Sequence, residues 1–205
     1  LYRDEGLLGT RVQVMRPHQR IDAGNAKHIA RMEIEVRKYL FDSARALKAN
    51  VPGYENSYLM LVAPYLAVRG GPCIEGEYTL TWKDCLEGRR FNDVVYMYGE
   101  TRAFHRSRIK YGNPRWVDMP YRVMVPKKID GLLAVGRAAS GVPDTLLRNR
   151  MAVMHMGQVG GAAAALSVRD RCLPRELDVH SLQEYLVDQG FHLGDRARLR
   201  ELKIR

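Results

Sequence analysis

Leu132-Leu133-Ala134-Val135-Gly136-Arg137 and, after a connection, Met154-His155-Met156-Gly157-Gln158-Val159-Gly160-Gly161-Ala162-Ala163-Ala164-Ala165-Leu166 decide how this chain is read. Residues 132–135 are a fully apolar run closed by Gly136. Such a run predicts a strand buried on both faces, as in the sheet of an α/β protein. Ser140 to Asn149 reads as a polar, irregular connection. Met151 to Val168 is then rich in Met, Ala and Gly and almost free of charge. That predicts a helix, and a helix apolar all round is buried.

A strand, a glycine, a cationic loop and a glycine-bearing helix together suit a large anionic cofactor. A helix N-terminus presents unpaired N–H groups and a partial positive charge. Arg137, Arg148 and Arg150 stand in the loop or at that N-terminus. Gly157, Gly160 and Gly161 each cost the helix about 1 kcal/mol relative to alanine, so they need a reason. Tight packing against a neighbouring strand is one reason and close approach of a cofactor is the other; spacing alone leaves both open.

Outward from this stretch, residues 173–175 lead to an amphipathic helix around Ser181 to Gln189, with His180 or Ser181 as N-cap and Gly190 closing it. The tail from Arg196 to Arg205 is densely basic and reads as a solvated charge run. Upstream, Thr10 to Met15 alternates as a strand does. Asn25 to Asn50 reads as a long amphipathic helix with Ile29, Met32, Val36, Leu40 and Leu47 on one face, stopped by Pro52 and Gly53. Ser57 to Ala67 is apolar, a second short helix or a strand. Glu77 to Thr81 alternates as a strand. Thr81 is placed to N-cap the helix Trp82 to Glu87, with Asp84 at the capping-box position and Gly88 at the end. Val94 to Tyr98 and Tyr121 to Val125 read as strands, and Gly99 to Asp118 as a cationic loop.

The bulk numbers bound the classes. The 205 residues, 46% of them hydrophobic, suffice for a sizeable core in one domain or two small ones. A net charge of +10 favours anionic partners. No nucleic-acid motif or basic-aromatic interleaving accompanies it, so nucleic acid is disfavoured as a partner. Cys73, Cys85 and Cys172 are odd in number and widely spaced, which argues against a disulfide framework or a zinc site and for reduced thiols in a cytoplasmic protein. No metal cluster and no Ser/His/Asp or Cys/His set stands out. No apolar run reaches the roughly 20 residues of a membrane span, and no signal peptide opens the chain. The first residue is Leu1 rather than Met, as in a processed product, a subunit cut from a precursor, or a fragment.

Three ordered blocks resemble the C-terminal part of the FAD-dependent oxidoreductase family. Ile129 to Arg137 followed by Met154 to Leu166 resembles that family's strand of "NLLVAGR" type and helix of "MALGQAAGTAAAL" type. Ile74 to Thr81 with Leu86 to Phe91 resembles "IVGEYTLT…LEGRRF", and Met119 to Lys127 resembles "IPYRCLLPK". Pro174-Arg175-Glu176-Leu177-Asp178-Val179 also fits. Together they span roughly residues 57 to 190.

The resemblance implies an α/β chain, the C-terminal portion of a two-domain flavoprotein. Residues 1–125 would give elements of a mixed-sheet substrate or cap domain, with the long helix near 25–50. Residues 126–172 would give the last strand and helix of a Rossmann-type FAD-binding domain, and 173–205 a terminal helix and basic tail. It implies FAD contacts at Gly136, Arg137, Arg148, Met151, Ala152, Gly157 and Gln158. It also implies hydride transfer between an organic substrate, with the basic excess favouring an anionic one, and flavin N5. The GxGxxG fingerprint that holds the pyrophosphate is absent from all 205 residues. The expected partner is therefore a chain or N-terminal half carrying it, in a hetero-oligomer. His105, in the cationic loop, and Arg122 are the candidates for catalytic roles; a solvated histidine and an arginine paired with a carboxylate are the plainer readings. His155 reads as a satisfied core histidine. The family's "RESRRI" is Arg69-Gly70-Gly71-Pro72-Cys73-Ile74 here, and the usual "SATHEA" loop text is missing. Those losses support a rival reading, a non-catalytic subunit kept as scaffold in a larger complex.

Overall fold

The computed structural model describes residues 2–4, 9–11, 22–66, 72–99, 116–141 and 150–204. The chain divides into two compact units, residues 1–68 and 69–205.

In the first unit, β1 (Tyr2–Asp4) and β2 (Gly9–Arg11) pair antiparallel, Tyr2 opposite Arg11. The rest of the strand expected to Met15 lies outside the described residues. Helix α1 (Ala26–Asn50) starts where the Asn25 side chain accepts hydrogen bonds from the Lys27 and His28 backbone N–H groups. That satisfies two of the orphan donors of a helix start. Met32 is buried on the expected face, and Ile29, Val36, Leu40 and Leu47 are half-buried. Residues 57–66 form neither the helix nor the strand expected of them. They are tied to α1 through side chains instead: Leu66 N–H donates to Glu33 Oε1 at 2.7 Å, and Arg37 Nη2 donates to the Pro64 carbonyl at 2.6 Å.

In the second unit, Thr81 Oγ1 accepts from Asp84 N–H while the Asp84 carboxylate accepts from Thr81 N–H, closing the expected capping box of α2 (Trp82–Glu87). Gly88, at φ +64°, ends the helix in the left-handed region that favours glycine. Strand β3 (Val94–Gly99) pairs antiparallel with β4 (Trp116–Pro120), with a bulge between Val94 and Tyr96. The second strand thus falls before the expected one, in sequence read as loop, and Tyr121–Val123 is a 3₁₀ turn. Residues 77–81 make no regular strand; their segment is joined by single bridges, Gly76 to Pro126 and Leu80 to Gly141.

Helix α3 (Arg150–Asp170) buries Ala152, Met156, Val159, Gly160, Ala163, Leu166 and Ser167. Most of these packing positions recur every three to four residues, one face of a helix. The expectation of burial all round is corrected: Met151, Met154 and Val168 are exposed at 60, 63 and 80%. By length and composition α3 also meets the requirement for a membrane span, contrary to the expectation of none. Its buried face joins Tyr96, Val123, Met124 and Leu182 in the main core, which a core helix of the same composition does.

Helix α4 (Val179–Asp188) is capped by Asp178, two or three residues before the expected His180 or Ser181; its carboxylate accepts from both of their N–H groups. A carboxylate at the N-cap accepts from the orphan N–H groups and also complements the helix dipole. The basic tail is also not simply solvated. It forms α5 (Arg196–Glu201), whose neighbours Leu193, Leu202 and Ile204 pack on Val94. Arg198, 7% exposed, donates to the Phe91 carbonyl and to Asp118, while Arg196, Arg200 and Lys203 face solvent. Helices and two-stranded antiparallel sheets in one chain are compatible with an α/β class. The three cysteines are free thiols.

Candidate functional site

The blocks read from sequence come together through backbone hydrogen bonds. Ile74 N–H donates to Ala138 O at 2.9 Å and Leu80 N–H to Ser140 O at 3.3 Å. Glu77 N–H donates to Val125 O at 2.8 Å, and Lys127 N–H to Glu75 O at 2.9 Å. Ser140 N–H donates to Val123 O and Ala134 N–H to Met124 O, both at 2.8 Å. Gly76 permits this approach: a Cβ there would stand 2.7 Å from the Ser140 Cβ.

The strand expected at 132–135 does not form: Gly131 bends the chain at φ +66°, residues 132–135 carry no regular secondary structure, and among the described residues no strand pairs with them. Ala134 is buried, but Leu132 and Val135 are 43 and 39% exposed, so the burial expected on both faces is not supplied. Between this segment and α3 lies a groove of about 310 Å³ lined by Gly131, Leu133, Val135, Gly157, Gly160, Gly161, Ala164 and Pro174. Its helix wall separates the two reasons for glycine. At Gly160 a Cβ would lie 2.6 Å from Val135 Cγ1, so that glycine serves packing. At Gly157 and Gly161 a Cβ would meet nothing within 4 Å, so those two open the helix backbone to the groove.

At the far end of the segment Gly136 turns the chain at φ +63°, a conformation that favours glycine, into a 3₁₀ turn (Gly136–Ala138). Its N–H points at Met156 Sδ, 3.0 Å away. Arg137 follows, exposed. Met151 is exposed in the first turn of α3, and Gln158 is exposed beside Gly157. Ala152 is 1% exposed and packs in the core, so its side chain is turned away from the groove. Arg148 and His105 lie outside the described residues.

Arg122 makes a two-pronged pair with Asp93, Nε to Oδ2 at 2.8 Å and Nη2 to Oδ1 at 3.1 Å, and its guanidinium stands 5.3 Å from the Tyr78 ring centre. The hydrogen bond to Asp93 raises the Arg122 pKa, so its charge is permanent. This is the plainer of its two sequence readings. His155 bonds the Met151 carbonyl at 2.8 Å and packs against Tyr96 and Phe191, but it is half-buried and not a core residue as expected.

Two arrangements escaped the sequence reading. Tyr78 OH donates to Asp84 Oδ2 at 2.7 Å and accepts from Arg89 at 3.0 Å; burial first, then that bond to Asp84, pushes its pKa up to about 12. Arg175 donates to Glu77 and to several carbonyls of the turn at 126–129. The Arg175 partners are distant in sequence, and those of Tyr78, six and eleven residues on, meet it only once α2 is formed.

The groove's size is at the lower end for a ligand pocket, and its lining carries no charged or hydrogen-bonding side chain. That fits the flat ring of a flavin and does not fit its pyrophosphate. Among the described residues no group of His, Cys, Asp and Glu is gathered to hold a metal. Neither a curated protein nor a solved structure matches the chain. The model of one family, FAD dependent oxidoreductase, matches residues 4–186. That match spans all three interlocked blocks and most of the chain, which therefore belongs to the FAD dependent oxidoreductase family.

Proposed function

We propose that this chain supplies the wall of an FAD site that faces the flavin ring, and that a separate chain or segment carrying GxGxxG supplies the phosphate-binding part. The open glycine groove carries the reading: two helix glycines have free space at Cβ and line an apolar cleft, although each costs the helix about 1 kcal/mol. When bound, FAD exchanges a hydride with an organic substrate at N5. The chain's own residues bind and shield. Gly157 and Gly161 let the helix backbone approach the ring, and Leu133, Val135 and Ala164 exclude water from one face. The N-terminus of α3 favours the anionic parts of cofactor and substrate. Gly136, Arg137 and Met151 would border the ring edge nearest that terminus, Gln158 would stand beside the Gly157 opening, and Arg148 is carried over from the family resemblance alone.

Flavin content tests this. The chain alone should bind FAD weakly, and the native assembly, with a co-purifying GxGxxG polypeptide, should hold one flavin. A yellow isolated chain with stoichiometric flavin would sink the two-part reading. The rival is a non-catalytic subunit kept as scaffold in a larger complex, supported by the departures at Arg69-Gly70-Gly71-Pro72-Cys73-Ile74 and in the 140–149 loop text. Unchanged flavin content and activity in Arg137→Ala and Arg148→Ala assemblies would favour it.

A further inference from the structure

We infer that Arg175 is a positioning residue for the groove, an inference that rests on the flavin-facing reading above. Arg175 Nη1 donates to Glu77 Oε1 at 2.9 Å, and its Nε pairs with Asp130 Oδ1 at 2.6 Å. Its Nη2 faces the carbonyls of Pro126, Lys127 and Ile129 at 2.7, 3.3 and 3.5 Å. One planar fork thus gathers the whole turn that delivers Gly131 and Leu133 to the groove. The preceding residue, Pro174, is itself part of the lining, and its carbonyl accepts from Tyr121 OH at 2.8 Å. Arg175 and Tyr121 therefore fix both the entry of the 131–135 wall and the end of the cleft against the core.

An exposed ion pair is worth little by itself. This side chain is only 28% exposed, and three of its partners are main-chain carbonyls, an arrangement that sets geometry rather than charge. Lysine, a point charge on a flexible stem, has no equivalent fork. Groups that hold a binding wall decide whether the site is tight or slightly too loose to bind well.

The test uses the flavin-bound protein as isolated, with whatever co-purifies, in the variants Arg175→Met, Arg175→Lys and Tyr121→Phe. Arg169→Met, which removes a pair at the far end of α3, is the control. Flavin affinity and the shape of the visible flavin absorption band are read per folded chain. Arg175→Met should weaken affinity about tenfold and alter the band, and Arg175→Lys should fail to restore either. Tyr121→Phe should move both the same way to a smaller extent, and Arg169→Met should leave them unchanged. Unaltered band and affinity in Arg175→Met, or full rescue by lysine, overturns the inference. If Arg175→Met does not fold, an unaltered Tyr121→Phe overturns it. A wild-type assembly without flavin overturns the function reading as well, which distinguishes the two failures.

Discussion

Gly157 and Gly160 stand within one turn of the same helix, and one methyl group should move the stability of the chain in opposite directions. At Gly157 alanine enters open space and relieves the glycine penalty, so Gly157→Ala should stabilise by about 1 kcal/mol. At Gly160 the new Cβ meets Val135 Cγ1, a short branched side chain with little room to yield. Gly160→Ala should therefore destabilise by about 1–3 kcal/mol. Urea unfolding of the two variants measures both signs; equal signs would mean that the groove is not open as described. The sequence marks all three glycines as needing a reason. It does not say which one touches a neighbour, because that depends on which side of α3 the 131–135 segment lies.

The helix α2 shows what is legible at the scale of an element. Its capping box involves residues three apart, so Thr81 and Asp84 are readable without any tertiary knowledge. Tertiary partners then add to it. Burial works to raise the Asp84 carboxyl, but hydrogen bonds from Tyr78, Thr81 and Arg89 outweigh it and hold the pKa below the ordinary carboxylate range. A depressed carboxyl stabilises the fold above its unfolded value, about pH 4, and that contribution is lost as pH falls through the folded value. Asp84→Asn should lower the melting temperature at neutral pH and flatten its fall below about pH 4. An acid limb as steep as that of the wild type would contradict this. Strands were less legible than caps. Residues 121–125 have the composition of a strand, yet β4 forms one step earlier at Trp116–Pro120, because pairing with β3 and not local propensity sets the register.

At the scale of the molecule, the C-terminal helix is pinned by charges that the sequence shows only as a basic run. Asp118, fully buried, accepts from Arg90, from Arg198 and from Phe91 N–H. Arg198→Met removes one of the two guanidinium partners of Asp118 and the bond to the Phe91 carbonyl, while Arg90 and Phe91 N–H still compensate the carboxylate, so it should destabilise by about 1–3 kcal/mol. Denaturant unfolding checks it, and a loss below about 1 kcal/mol would return the tail to a solvated role. The three blocks were legible as text, but their interlocking was not, since residues 74–80, 121–127 and 134–141 meet through long-range backbone bonds and a few side-chain contacts such as Thr79 with Ser140. The 131–135 segment, with which no strand pairs among the described residues, and the exposed face of α3 are what remain open. A helix face this apolar is covered in a working protein. On the present account the flavin ring and the segment bearing the glycine fingerprint cover it.

The most direct test of that account is the flavin content of the native assembly carrying Gly161→Leu. A Cβ at Gly161 meets nothing within 4 Å, so the variant should fold with a melting temperature close to that of the wild type while its side chain fills the cleft. The account predicts flavin affinity lower by about tenfold or more with the fold intact. One flavin per assembly with wild-type affinity and an unchanged absorption band would contradict it.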